Sequence, residues 1–171
     1  LCHLTSVVMV DPRPADVAHC YESLVLPKIP KKWQQRLEER RASNPQFVEE
    51  MVQERFRQLV MPMDDHTLAT STELQEAVRD ARLLVGMHAD GATEAIIDAA
   101  LLYKKPCVVV PCCVFPNLFQ ERRVSTDEGN TVPVRSHEQC FRYLQEKDAR
   151  FQRCILPFEG RNIATWWDGQ S

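Results

Sequence analysis

The sequence predicts an α/β fold: a three-layer, mostly parallel sheet closed by a C-terminal antiparallel hairpin. Three observations predict it. Short apolar, β-branched runs at Val7–Val10, Arg82–His88 and Cys107–Pro111 alternate with stretches of helical periodicity. Capping-box spacings at Thr70–Glu73 and Ser136–Gln139 mark two helix starts. The chain ends in two strand-like runs, Phe151–Leu156 and Ile163–Trp167, joined through the Gly-containing Pro157–Arg161.

Taken in order, the first run stops at Asp11-Pro12, a turn signal. A helix is expected from about Pro14 until Pro27 and Pro30 end it. From Lys31 to Val60 the text is helical and charged, split at Asn44-Pro45, where Asn44 suits an N-cap and Pro45 a first helical residue. A helix follows from Ser71 to Asp80, then the buried run 82–88. Asp90-Gly91-Ala92 opens a helix whose apolar face includes Ala95, Ile96, Ala99, Ala100 and Leu102, ending at Lys104-Lys105-Pro106. After the run 107–111, residues 124–133 read as a polar loop, and a helix runs from Ser136 to about Lys147. The whole reads as one domain, 1–171, with 31–60 a helical insertion within it.

Composition narrows the function classes. With 171 residues, 44% hydrophobic and 26% charged, the chain can bury a real core without staples. A net charge of −3 gives no global field for nucleic acid. Apolar runs reach only about six residues, far from the ~20 that span a bilayer. Seven cysteines, an odd count without C-x-x-C, with Cys107 and Cys154 in apolar strands, suggest reduced thiols and an intracellular, cytoplasmic location. The five glycines include no G-x-G, so a glycine-rich nucleotide loop is absent from this sequence. Gly86-x-x-x-x-Gly91-Ala92-Thr93 has phosphate-loop spacing, but Ala92 stands where the lysine is needed, which argues against an NTPase.

Parallel sheets bind ligands outside the carboxyl ends of their strands. Those ends carry Asp11, His88, Asp90, Cys112 and Cys113. Asp11 suits ribose hydroxyls as an acceptor, or merely caps the following helix. The vicinal Cys112–Cys113 pair reads as a reactive thiol, half a metal site or plain core; alternation along a strand would point the two side chains opposite ways. The sequence offers no further spaced ligand pair, so no metal is expected. The stretch from His88 to Pro111 is long enough for one crossover helix and a return strand, which would set the two ends side by side. Between Lys28 and Arg57, eight cations are largely offset by Glu38, Glu39, Glu49, Glu50 and Glu54. They form a solvated face or a contact for RNA or protein.

Leu84-Val85-Gly86-Met87-His88-Ala89-Asp90-Gly91-Ala92-Thr93 is similar to the G-L-H-x-C-G-x-L signature of a methyltransferase-like branch, and Cys112-Cys113 to that branch's C-C pair. The layout resembles the class I S-adenosylmethionine-dependent methyltransferase fold, a Rossmann-like sheet. The closest block spans about residues 82–116. Asp90 replaces the signature's Cys and Thr93 its Leu. The family's first strand and glycine loop would precede Leu4. The resemblance implies S-adenosylmethionine as cofactor, with Asp11 on its ribose. It also implies His88 and Asp90 as catalytic groups, His88 the base, and Cys112 and Cys113 lining the pocket. A methyltransferase of undetermined acceptor, RNA among the candidates, is the first expectation. A non-catalytic binding or scaffold domain with a degenerate form of the fold is the other.

Overall fold

A computed structural model describes residues 6–170. The chain divides into two compact units, 1–62 and 63–171. No helix among the described residues is long and apolar enough to cross a membrane.

The first unit pairs two strands in parallel, β1 (Val7–Val10) and β2 (Phe56–Leu59). Between them lie a short α1 (Val17–Cys20) that runs into a π turn and a 3₁₀ turn, α2 (Lys31–Ser43) and α3 (Phe47–Arg55). Two expectations change here. Phe56–Leu59 continues the apolar text of α3 but is strand, because Phe56 and Leu59 suit either period and the strand partner decides. Asn44 closes α2 rather than capping α3; its side chain accepts from Gln46 N–H at 3.0 Å, and the next helix starts only at Phe47. Helix α2 buries none of its residues, as its evenly charged surface demands. Only Val48 and Leu59 are buried hydrophobics among this unit's described residues.

The second unit opens with α4 (Asp65–Thr70) and α5 (Thr72–Asp80). Ser71 caps α5 by accepting from Leu74 N–H, one residue past the expected Thr70–Glu73 box, because Thr70 still belongs to α4. A four-stranded sheet follows in the order β3-β4-β8-β7: β3 (Leu84–Met87), β4 (Cys107–Val110), β8 (Ile163–Trp167) and β7 (Gln152–Ile155). β3 and β4 are parallel, Leu84 opposite Cys107 and Met87 opposite Val110, joined by the crossover helix α6 (Thr93–Tyr103). β8 runs antiparallel to both β4 and β7. Residues 123–125 (β5) and 131–133 (β6) form a separate antiparallel hairpin where a polar loop was expected, held by Val124 in the core. α7 (His137–Glu146) carries the full capping box of Ser136 and Gln139.

This architecture corrects the expected sheet. The strand ending at Asp11 does not join those ending at His88 and Pro111; β1 pairs with β2, and the larger sheet is mixed, two of its three pairings antiparallel. Helices α6 and α7 pack on the face that carries Gly86, Cys107, Val109 and Trp167. The opposite row leaves Val85 and Met87 exposed, because β3 is an edge strand rather than a buried one. Leu102, expected on the inner face of α6, is also exposed; Ile97 takes the buried position. Gly86 is required where it sits: a Cβ there would lie 2.8 Å from Ile96 Cδ1 and 3.1 Å from Val109 Cγ1. The helix–sheet core beneath the site is therefore closely fitted.

Candidate functional site

The carboxyl ends of β3 and β4 lie side by side. His88 N–H donates to Val110 C=O at 3.0 Å, extending the ladder one step past the last strand pair. The chain then turns sharply: His88 and Asp90 take positive φ, 51° and 47°, before a 3₁₀ turn over Asp90–Ala92 feeds α6. Such backbone is uncommon outside glycine and is held by its surroundings. Ala92 N–H donates to Ala89 C=O, and Gly91 lets Phe119 approach; a Cβ at Gly91 would lie 3.3 Å from its ring.

The segment after β4 folds over this turn. Val114 is buried and anchors it, and Phe119 N–H donates to Phe115 C=O. The Arg122 guanidinium stacks 3.5 Å above the Phe119 ring, while its Nε donates to Glu94 Oε2 at 2.6 Å. Glu94 also takes Lys147 Nζ at 2.6 Å and accepts from the Tyr143 hydroxyl. Lys147 reaches Asp98 as well, at 2.9 Å. Burial alone would raise the Glu94 carboxyl, yet the donors from Lys147, Tyr143 and Arg122 hold it below the usual carboxylate range. This network pins the segment after β4 to α6 and α7. The reading of strand ends missed it. Its signal was Glu94 in the first turn of the crossover helix, one residue past the strand–turn–helix motif.

Of the expected site residues, the structure brings Asp90, Cys112 and Cys113 together. Cys112 Sγ donates to Asp90 Oδ1 at 3.1 Å and lies 3.5 Å from Cys113 Sγ. The expectation that one thiol turns into the core is corrected: both sulfurs point to one place, Cys112 half-buried and Cys113 exposed. Strand alternation does not bind them, because the ladder ends at Val110. Partial desolvation, then the bond to Asp90 and the neighbouring Cys113, push the Cys112 thiol up to about 12, so it is protonated at neutral pH. It is no ready nucleophile in this state. His88 is exposed at the same strand end. His137, which the strand-end reading also missed, faces the Cys112 backbone from the start of α7; burial first, and Arg161 second, depress its imidazole.

Asp11 belongs to the first unit and is locally engaged. Its Oδ1 accepts from Arg13 N–H at 2.8 Å and Nε at 3.0 Å, and its Oδ2 from Nη2 at 3.0 Å. Those donors hold its carboxyl below the ordinary range. Gln58 stiffens the same turn, donating to the carbonyls of Asp11 and Arg13 and accepting from Ala15 N–H.

Comparison with known proteins finds no family model, no curated protein and no solved structure that matches this chain.

Proposed function

We propose that the chain is a methyltransferase-like protein whose second unit supplies the acceptor side of a methyl-transfer site. One observation carries the reading: the parallel β3–β4 pair with its crossover helix sets His88, Asp90, Cys112 and Cys113 at one sheet end, where α/β sheets hold ligands. On this reading His88 accepts the acceptor's proton, Asp90 and the thiols line the pocket, and proximity supplies much of the rate. S-adenosylmethionine is the proposed methyl donor. The donor side is less well served. Both Asp11 oxygens are occupied by Arg13, and no G-x-G offers backbone donors. The described residues do not fit a complete cofactor site, and cofactor binding is expected to be weak.

That same mismatch favours a second reading, a non-catalytic binding domain that uses the charged helices α2 and α3 as its contact surface for RNA or protein. Calorimetric titration with S-adenosylmethionine, together with a labelled-methyl transfer assay on total RNA and protein, separates the two. The first reading expects a Kd weaker than ~10 µM, about 7 kcal/mol, and transfer that His88→Ala abolishes. Neither heat nor transfer at about 1 mM cofactor would leave the binding-domain reading.

A further inference from the structure

Asp90 and the vicinal cysteines come from two loops that leave neighbouring parallel strands, and their donor atoms converge. We propose that Asp90 Oδ1, Cys112 Sγ and Cys113 Sγ bind one thiophilic divalent cation of the zinc class, with one coordination position left open. One oxygen and two sulfur ligand atoms all lie within 4.8 Å of one another. The two closest separations are 3.1 Å for oxygen to sulfur and 3.5 Å for sulfur to sulfur. A tetrahedral zinc ion with sulfur at ~2.3 Å and oxygen at ~2.0–2.2 Å sets such donors about 3.5–3.8 Å apart. The cluster therefore needs shifts of only a few tenths of an ångström at those two separations to close around a metal.

The donor set selects the metal. Two thiolates favour zinc-class ions over magnesium or calcium, which take oxygen ligands. The fold places the donors without the metal's help. The positive φ of Asp90 turns that residue back toward the end of β4, and the two cysteines follow Pro111, past the last ladder residue. Asp90 and Cys113 are exposed and Cys112 is half-buried, so an ion enters from solvent. Three protein ligands leave a fourth place for water or an outside ligand, the arrangement of open rather than structural zinc sites. On binding, each thiol loses its proton to solvent. A dication, two thiolates and one carboxylate then make a site of net charge −1, with two protons released.

The inference uses the same thiols and carboxylate that the proposed function places in the pocket but does not depend on methyl transfer, and its test involves no methyl donor. The full chain, reduced and freed of metal with a chelator, is titrated with Zn²⁺ against a chromogenic competitor and with Co²⁺ by absorption. The expected result is one metal per chain, a thiolate-to-cobalt charge-transfer band, and about two protons released per zinc in weakly buffered solution. Cys112→Ser with Cys113→Ser should weaken binding ~100-fold or more, and Asp90→Asn about 10-fold or more, while Cys20→Ser changes nothing. Absence of stoichiometric binding to the folded chain would overturn the site, as would binding unchanged in the double variant or a cobalt complex without the thiolate band. If the double variant does not fold, the proton count on the unaltered chain and the Asp90→Asn affinity decide the matter.

Discussion

Replacing Glu94 by Gln tests the link between the core and the site most sharply. The Arg122 side chain is only 5% exposed, and Glu94 is the carboxylate on its Nε, at 2.6 Å. The Lys147 and Glu94 side chains are each 19% exposed. Breaking a buried pair by removing one partner costs ~3–5 kcal/mol, because the other charge stays buried without compensation. Partial exposure of Glu94 and the retained Lys147–Asp98 pair bring the expectation to about 3 kcal/mol. Urea denaturation followed by far-ultraviolet circular dichroism should show the midpoint falling with the m-value unchanged. At roughly 2–4 °C per kcal/mol for a chain of this length, the melting temperature should drop by about 6–12 °C. Adding Arg122→Met should recover much of the loss, since an apolar replacement of both partners is often neutral. A loss below about 1 kcal/mol, or no recovery in the double variant, would refute the reasoning that this network holds the Phe119 segment over the Asp90 turn.

Four further outcomes follow from the structure. Tyr143 and Lys147 both have raised values in the fold, Tyr143 from 10.0 to about 12, chiefly through burial and its bond to Glu94. Stability from Tyr143 is present below pH ~10 and lost as pH climbs toward ~12, and that from Lys147 is lost as pH rises through its raised value; a pH series of melts should show that fall, flattened in Glu94→Gln, and an unchanged fall would count against the network. On the acid side Glu94, held low, should withdraw its support as pH falls through its folded value, while Asp98, raised by burial, opposes it. Gly86→Ala forces its methyl onto Ile96 and Val109 and should cost about 1–3 kcal/mol; pairing it with Ile96→Val, which removes the nearest carbon, should cost less than the two changes summed in chemical denaturation. Trypsin should cut first within Lys31–Arg41, where α2 buries nothing, and mass spectrometry of a timed digest showing earlier cuts at Arg142, on the helix that buries Cys140, Phe141 and Leu144, would contradict the burial pattern.

How much of this was legible in the sequence depends on how local the cause was. The Ser136–Gln139 box located α7 through atoms three residues apart, while the Thr70–Glu73 spacing located α5 one residue early, since Ser71 rather than Thr70 is its cap. The parallel neighbours β3 and β4 followed from the length of the crossover between His88 and Pro111. Pairing between distant segments was not legible. β1 takes β2 as its partner, and nothing local in Phe56–Leu59 distinguishes that strand from the end of α3. β5 and β6 read as loop because their apolar signal is Val124 and Val132 in polar surroundings. At the site, the residues Asp90, Cys112 and Cys113 were visible as strand-end candidates. Their common direction was not, because it is set by backbone beyond the ladder, at the positive φ of Asp90 and after Pro111.

The central claim places ligand binding at the carboxyl ends of β3 and β4. Amide hydrogen exchange of the full chain, with and without S-adenosylmethionine at about 1 mM, tests it directly. The account predicts slowed exchange over residues 87–92 and 110–115, reduced in His88→Ala. Slowing confined to 7–16 or 31–43, with 87–92 and 110–115 unchanged, would contradict it.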